Sequence, residues 1–318
     1  MAFRKKFNFK TPTNKNTGFG DNASNYGGRF INKSGDANIT KSGIGFLDRI
    51  SWYHTLLTVP RWKFFMVIFT FYFVVNLFFA SLYMAVGIEH LKGIVPQNDL
   101  DKFGQAFFFS VQTFTTVGYG HISPSGFLSS LVASIEALFG LLSFAIATGL
   151  FYGRFSRAKA HIAFSNHALI APFQNQTALM FRIAPYKNTN LFDAEATIIM
   201  GIPIEENGIM VNKFYSLALE MDKISTLTLS WTLVHPITED SPLYQMKEHD
   251  FQSIKGEIIV YIKAFDDMYS TTVVKRTSYT FGEVCYGARF IPMFSKNEEN
   301  TQTILHLDKL HLYEKVSL

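Results

Sequence analysis

One short segment of the chain carries residue types at a spacing that suits the binding of a dehydrated cation. Its five residues are Thr116, Val117, Gly118, Tyr119 and Gly120. An ion gives up its water shell only where oxygens replace it, and an extended strand whose successive carbonyls face one axis supplies such oxygens. The Thr116 hydroxyl adds a further oxygen. Because glycine accepts positive φ at low cost, Gly118 and Gly120 let consecutive carbonyls turn to the same side.

The surroundings of this segment distinguish it from a chance tight turn. An apolar stretch, 103–114, comes directly before it and is too short to cross a membrane, which is the length expected of a re-entrant helix. The arrangement resembles the selectivity filter of potassium channels. We therefore predict a pore helix over 103–115 and a filter over 116–120, with K⁺ bound at the filter only. One chain supplies one filter strand, so a closed ring requires four chains and predicts a homotetramer.

Two long apolar segments flank the predicted pore helix. Residues 64–86 contain no charged side chain, and at about 1.5 Å rise per residue they cross a hydrocarbon core of roughly 30 Å. Residues 126–153 are equally apolar and carry Glu136 as their one charge. Trp62 and Lys63 resemble interfacial anchors, which disfavours the buried helix of a soluble enzyme. We predict spans at about 62–86 and 126–155.

Basic residues lie close to the spans at the ends that face away from the predicted filter. They are Arg49, Arg61 and Lys63 before the first span, and Arg154, Arg157 and Lys159 after the second. The loop between the spans mixes acids and lysines. The positive-inside rule therefore places both termini in the cytoplasm and the pore helix on the outer side of a multi-pass protein of the cell (inner) membrane.

The residues before the first span divide into two parts. Residues 1–45 are rich in Asn, Gly, Lys and Ser and are expected to be mostly loop. Residues 46–58 place Phe46, Ile50, Tyr53 and Leu57 at near-helical spacing, which predicts an amphipathic helix on the inner membrane surface. An irregular linker is the alternative.

From about residue 159 the chain changes to short β-type runs separated by turn-like clusters. The predicted strands include 197–200, 227–234, 257–262 and 270–274, and the predicted turns are 205–208, 222–225 and 239–242. Many short strands at such spacing are typical of an antiparallel sandwich. The predicted fold class is thus a membrane α domain followed by an all-β domain.

Composition excludes several classes of protein. The chain has 318 residues, of which 48% are hydrophobic and 17% charged, and the net charge of +4 is too small to predict nucleic-acid binding. One cysteine excludes an intrachain disulfide framework, and the nine histidines show no ligand spacing. The mean hydropathy of +0.12 is the average of two charge-poor spans and an ordinary soluble domain. We predict no enzymatic step and no cofactor.

Longer motifs extend the resemblance over nearly the whole chain. They are RFINKSG at 29–35, FSNHALIAPFQNQTALMFRIA at 164–184, SWTLVHPITEDSPLY at 230–244 and SYTFGEVCYGARF at 278–290. Together with the two spans they resemble the inward-rectifier potassium channels, most closely the prokaryotic KirBac branch. The resemblance implies a tetrameric two-span pore domain over 59–157 and a cytoplasmic immunoglobulin-like β-sandwich over 158–318, which regulates the pore.

The resemblance also assigns roles on the second span. Gly140 matches the family's hinge glycine, and Phe144 matches the position where strong rectifiers carry an acid, so strong polyamine block is not expected. Phe144, Thr148 and Tyr152 recur every four residues and share one helical face. We interpret this face as pore-lining, with Tyr152 near the inner constriction where large side chains close the pore by steric block and dewetting. Ordinary core packing of these aromatics is the alternative.

Three positions depart from the family pattern near the filter. Gln112 stands where many relatives have a glutamate, Ile122 where eukaryotic members have its arginine partner, and His121 replaces an aspartate that often follows the filter. The ion pair that these relatives use behind the filter is therefore absent. Glu136 is an intramembrane carboxyl, and two roles stay open: a structural hydrogen bond behind the filter, or a contribution to the field in the cavity.

The basic residues that set the topology also resemble the family's site for anionic lipid head groups, including phosphoinositides. Each clustered basic residue near an anionic leaflet gains about 1 kcal/mol. The resemblance to the KirBac branch implies inhibition by these lipids, and a role in topology alone is the alternative. Gating of the pore by a soluble ligand bound to the β domain, with weak or no rectification, is the second hypothesis for function. A voltage-gated type is disfavoured because no arginine-repeat helix precedes the pore.

Overall fold

The computed structural model describes residues 11–19, 29–43, 45, 51–95, 97–206 and 209–318. They form two compact units. The pore unit is Ser42–Arg157, and the β unit combines the described residues up to Lys41 with Ala158–Leu318.

Within its described residues the pore unit contains four α-helices. They are α1 (Trp52–Thr58), α2 (Arg61–Val86), α3 (Asp99–Phe114) and α4 (Phe127–Phe155). By length and composition, α2 and α4 are able to cross a membrane, and their bounds agree closely with the predicted spans. The short strands β1 (Leu91–Lys92) and β2 (Ser123–Pro124) pair in an antiparallel manner and join the segments around α3. Residues 46–50 of the predicted amphipathic helix lie outside the described residues, and α1 covers the rest of it.

The pore helix begins earlier than predicted because of its capping residues. The Asn98 side chain accepts a hydrogen bond from the Asp101 backbone N–H at 2.8 Å, and Asp99 and Asp101 lie in the first turn. Both features stabilise a helix N-terminus. The buried face of α3 packs on α2 in a core that includes Phe79, Ala80, Tyr83, Ala106 and Phe109.

The β unit begins with strands that form most of a sandwich. In chain order they are β3 (Ile162–Phe164), β4 (Ala168–Phe173), β5 (Gln176–Pro185), β6 (Leu191–Glu206), β7 (Ile209–Ser216), β8 (Lys223–Thr226), β9 (Trp231–Pro236), β10 (Glu257–Asp266), β11 (Thr271–Thr280) and β12 (Val284–Tyr286). The one α-helix in this described part is α5 (Glu248–Ser253). Four further strands end the chain: β13 (Ala288–Phe290), β14 (Phe294–Lys296), β15 (Thr303–Leu305) and β16 (Tyr313–Lys315).

Two five-stranded sheets make up the sandwich. One has the order β11-β10-β6-β7, with β8 also paired to β6, and the other has the order β12-β4-β5-β3, with β9 also paired to β5. Alternate residues of β10, such as Ile258, Val260 and Ile262, point into a core that also contains Phe181 and Tyr279. The predicted fold class, two apolar helices followed by an all-β domain, is confirmed.

Two local predictions about the β unit are wrong. Residues 222–225 are not a turn, because Lys223–Thr226 pairs with β6 as strand β8. The sandwich is also not wholly antiparallel, since β12 runs parallel to β4. Both differences arise from pairing between segments distant in sequence, which local turn residues and local alternation do not encode.

The segment around residues 29–38 has little regular structure but is firmly attached to the β unit. The buried Glu257 carboxylate accepts hydrogen bonds from the backbone N–H groups of Phe30 and Ile31. Arg29 donates to Ser278 and forms an ion pair with Glu283. A segment that is loop-like by composition is therefore held by side chains of β10, β11 and the turn after them.

Candidate ion-conduction pathway

The filter segment starts where the pore helix ends. The carbonyl oxygen of Gln112, in the last turn of α3, accepts hydrogen bonds from the N–H groups of Val117 at 3.0 Å and Gly118 at 3.4 Å. Gly118 and Gly120 have φ of +55° and +80°, the positive values that the sequence predicts for them. Thr116 also has a positive φ, +58°, which no sequence signal indicated. The backbone after α3 is thus turned by three residues in the left-handed region.

The side chains of the filter segment have little cover from their own chain. Val117 is 53% exposed and Tyr119 78% exposed. A Cβ atom built on Gly118 or Gly120 would meet nothing within 4 Å. The single chain therefore leaves these side chains largely uncovered, while its Gln112 carbonyl bonds the backbone of the segment.

A polar cluster lies between the pore helix α3 and the two long helices, α2 and α4. Glu136 of α4 is fully buried, and its Oε2 accepts a hydrogen bond from the Tyr83 hydroxyl of α2 at 2.6 Å. Its Oε1 is hydrogen-bonded to the Ser110 hydroxyl of α3. Of the two roles left open by the sequence, this geometry favours the structural hydrogen bond, because the carboxyl contacts protein on both oxygens.

Gly140 is buried at the closest approach of α4 to the end of α3. A Cβ atom at this position would lie 2.0 Å from the carbonyl oxygen and 2.8 Å from the carbonyl carbon of Phe114. Helix α4 runs through Gly140 without interruption. The structure therefore requires glycine here for packing, and the hinge role stays a prediction.

The residues of the predicted pore-lining face remain outside the core of the pore unit. Phe144 and Tyr152 are each 74% exposed, and Thr148 has its hydroxyl donating to the Phe144 carbonyl at 2.9 Å. Within one chain these side chains do not pack as an ordinary core.

The predicted lipid-binding residues divide into two groups. Arg154 is half-buried: it donates to the carbonyl oxygens of Leu56 and Val59 at 2.5 and 2.8 Å, and its guanidinium lies 4.4 Å from the centre of the Phe64 ring. It thus satisfies carbonyls at the end of α1, a role that the sequence did not indicate. The second group consists of the other described basic residues of the set, which are Arg61, Lys63, Arg157 and Lys159. Arg49 lies outside the described residues.

Loss of Arg154 is expected to destabilise the pore unit. Because hydrogen bonds from charged groups contribute about 1.5–3 kcal/mol each, and Arg154 donates two of them, Arg154→Ala is expected to lower the free energy of unfolding by about 3 kcal/mol, the lower end for a half-buried side chain. The loss is measured as a reduced melting temperature of the purified protein in detergent. Arg157→Ala is the matched control, since Arg157 is exposed at the end of the same segment. Equal shifts for both variants would contradict the capping role.

A wide cleft among the described residues of the β unit bears on the hypothesis of a soluble ligand. It has a volume of about 640 Å³ and lies between residues 11–14 and 235–242. The buried polar groups in its wall are already paired, since His235 Nδ1 bonds the Ala218 carbonyl and Nε2 bonds the Ser241 hydroxyl. Among the described residues no group of three or more His, Cys, Asp or Glu is placed to hold a metal ion.

Comparison with known proteins agrees with this architecture. Residues 62–157 match a family model described as an ion channel, and residues 162–318 match one described as the inward rectifier potassium channel C-terminal domain. A two-span pore joined to this β-sandwich defines the class: a membrane channel protein and not an enzyme.

Relatives with full names narrow the class to a family. The chain is 32% identical over 288 residues to the inward rectifier potassium channel Kirbac3.1 of Paramagnetospirillum magnetotacticum, covering 89% of this chain and 95% of the relative. It is 25% identical to the inward rectifier potassium channel irk-1 of Caenorhabditis elegans, covering 89% of this chain and 56% of the relative. It is 28% identical to the G protein-activated inward rectifier potassium channel 1 of Bos taurus, covering 85% and 58%. The chain belongs to the inward-rectifier potassium channel family.

Proposed function

We propose that four copies of this chain form a potassium-selective channel of the cell (inner) membrane, in which K⁺ passes without a coupled energy source through a ring of four 116–120 segments. The observation that carries the proposal is the filter segment itself. It follows the pore helix directly, and its glycines have the positive φ that lets successive carbonyls turn to one side. Family membership supports K⁺ as the permeant ion.

The fourfold assembly is supported by the exposure of the filter side chains. Val117 and Tyr119 are apolar or aromatic, yet their own chain leaves them largely uncovered. Non-helical backbone is tolerated at membrane depth only where protein or an aqueous cavity surrounds it. Neighbouring copies of the chain supply this enclosure, and the ring of oxygens closes at the same time.

The experiment that tests this function is ion flux into liposomes that contain the purified full-length protein. K⁺ flux is expected to exceed Na⁺ flux by a large factor and to be blocked by Ba²⁺. Protein-free liposomes give the baseline. Equal fluxes of K⁺ and Na⁺ would overturn the proposal. So would a K⁺ flux that stays at the baseline in all of the lipid compositions tested.

The gate is proposed at the exposed aromatic face of α4. Four copies of Tyr152, and of Phe144 about two turns above it, then meet at the axis and exclude water and ions. We place both termini and the β unit on the cytoplasmic side, where the β unit regulates this gate.

Shortening the side chain at the proposed constriction is expected to open the pore. Tyr152→Ala removes a large ring that its own chain does not bury, so open probability in single-channel recordings is expected to rise several-fold while K⁺ over Na⁺ selectivity stays unchanged. Ile146→Ala is the matched control, because Ile146 is also exposed on α4 but lies about 200° around the helix from Phe144, on the side away from the 144–148–152 face. An unchanged open probability for Tyr152→Ala would count against the gate.

Regulation by anionic lipids is proposed at the basic residues beside the spans. Arg157 and Lys159 follow the second span, whereas Arg154 uses its guanidinium to hold α1. Neutralising the pair Arg157→Gln and Lys159→Gln removes about 1 kcal/mol of attraction per charge. The concentration of phosphoinositide that gives half of its effect on K⁺ flux is expected to rise about tenfold or more. An unaltered dose response would refute the site.

A further inference from the structure

The polar cluster between the pore helix and the two long helices contains four hydrogen bonds, for which one amide N–H and two hydroxyl groups supply three protons. It consists of the Tyr72 carbonyl, Asn76, Tyr83, Ser110 and Glu136. Asn76, Ser110 and Glu136 are completely buried, and Tyr83 almost so. Bulk water therefore does not supply a missing hydrogen, and the side chains themselves have to account for every hydrogen bond.

The orientation of Asn76 follows from a backbone carbonyl. The amide nitrogen of Asn76 lies 2.8 Å from the carbonyl oxygen of Tyr72. A carbonyl oxygen accepts hydrogen bonds only, so the Nδ2 group has to face it and donate. The Asn76 Oδ1 atom consequently faces Ser110, whose hydroxyl oxygen is 3.1 Å away.

The single hydroxyl proton of Ser110 is donated in a hydrogen bond to Asn76. Oδ1 of Asn76 is an acceptor, and the Ser110 hydroxyl is the donor beside it. The Ser110 oxygen is also hydrogen-bonded to Oε1 of Glu136. A serine hydroxyl has one proton, so it does not donate to both oxygens at once, and the hydrogen in the second bond has to come from Glu136.

The other oxygen of Glu136 is already supplied with a donor. Oε2 accepts from the Tyr83 hydroxyl at 2.6 Å, and Tyr83 is the one other titratable group bonded to this carboxyl in the described part of the chain. No lysine, arginine or histidine of that part forms an ion pair with Glu136. A buried carboxylate without a cation is costly, whereas a neutral acid is not.

We propose that Glu136 carries a proton on Oε1 and that, as a neutral carboxylic acid, it positions the pore helix between the two spans. The chain of hydrogen bonds runs from Glu136 to Ser110 to Asn76 to the Tyr72 carbonyl. It connects α4 to α3, and α3 to α2. Glu136 is a positioning residue, because it does not contact the permeant ion.

The infrared spectrum tests the protonation without depending on conduction. The purified full-length protein in a detergent without carbonyl groups is expected to show a C=O stretching band of a protonated carboxyl, and this band is expected to be missing in Glu136→Gln. Glu89→Gln is the matched control, since it changes an exposed acid of the same unit and is expected to leave the band in place. The proposal is overturned if the wild-type protein has no such band, or if the band persists in Glu136→Gln.

Ion selectivity tests the positioning role, which rests on the proposed function. An amide in place of a neutral acid donates to Ser110 and accepts from Tyr83, so Glu136→Gln is expected to keep the K⁺ to Na⁺ flux ratio within about twofold. Glu136→Ala and Ser110→Ala are expected to lower it about tenfold, which equals about 1.4 kcal/mol. An unchanged ratio in Glu136→Ala and Ser110→Ala would overturn the positioning role, and a tenfold loss in Glu136→Gln would contradict the neutral acid. If no variant conducts, the infrared band still decides the protonation, so a failed channel assignment is distinguished from a failed proton assignment.

Discussion

Replacement of Gly118 by alanine is expected to abolish the preference for K⁺ over Na⁺. Gly118 has φ of +55°, a conformation that costs an L-residue about 1–2 kcal/mol, and in a ring of four chains this cost arises four times. A Cβ atom would meet nothing within 4 Å, so the effect comes from the backbone and not from a clash within the chain. The alanine relaxes toward negative φ and turns a carbonyl away from the axis. We expect the K⁺ to Na⁺ flux ratio in liposomes to fall at least about tenfold, or about 1.4 kcal/mol.

The pore helix supplies the matched control for this substitution. Gly104 lies inside α3, and a Cβ atom built on it would meet nothing within 4 Å. Gly104→Ala adds the same methyl group where alanine is the favoured helix residue, so a small gain of stability and unchanged selectivity are expected. Thr116 has a positive φ without being glycine, so the loop tolerates some strain. Retained selectivity in Gly118→Ala would show that positive φ there is dispensable.

Replacement of Gly140 by alanine is expected to displace the pore helix. The new Cβ would lie 2.0 Å from the Phe114 carbonyl oxygen, and both groups belong to helix backbones that have no rotamer with which to move away. Overpacking of a well-packed site costs about 1–3 kcal/mol, and contact with backbone lies at or above the upper end. Since Phe114 is the last residue of α3, the displacement reaches the filter directly. We expect a lower melting temperature of the assembled protein together with a reduced K⁺ to Na⁺ flux ratio.

Gly149 on the same helix provides a control that distinguishes a packing role of Gly140 from a hinge role. A Cβ atom at Gly149 would meet nothing within 4 Å, so Gly149→Ala is expected to leave selectivity unchanged and, as at Gly104, to raise stability slightly. If Gly140 served as a hinge alone, Gly140→Ala would alter open probability while the melting temperature and selectivity stayed at the wild-type values. That result would contradict the packing role that the structure assigns to Gly140.

Patterns within short windows of the sequence are sufficient for the main architecture. Long charge-free runs predict the spans, because a membrane core demands about 20 apolar residues in one helix. The apolar run predicts a pore helix over 103–115, and the helix is found at Asp99–Phe114, since the Asn98 cap sets the start and the apolar run indicates only the middle. The five-residue motif at 116–120 and the longer motifs of the β domain are sufficient to identify the family.

Such local patterns do not predict contacts between residues that are distant in the sequence. Glu136 is visible in the sequence as an unusual carboxyl, but its partners Ser110 and Tyr83 are 26 and 53 residues away in the chain. The charge of Arg154 groups it with the predicted lipid-binding residues, whereas its guanidinium binds carbonyls 95 and 98 residues earlier. The local residues of strand β8 predict a turn, because only pairing with β6 makes this segment a strand.

The sequence by itself determined that this chain has two spans and a β domain, and it predicted the filter segment, because hydrophobic length, strand alternation and glycine placement are local properties. The roles inferred for Gly140, Arg154 and Glu136 rest on the tertiary structure alone. A glycine is required at 140 only because a carbonyl of another helix lies where its side chain would be. The proton on Glu136 is inferred only because two neighbours compete for one serine hydrogen. Both facts depend on distances between helices, which no single segment of the chain specifies.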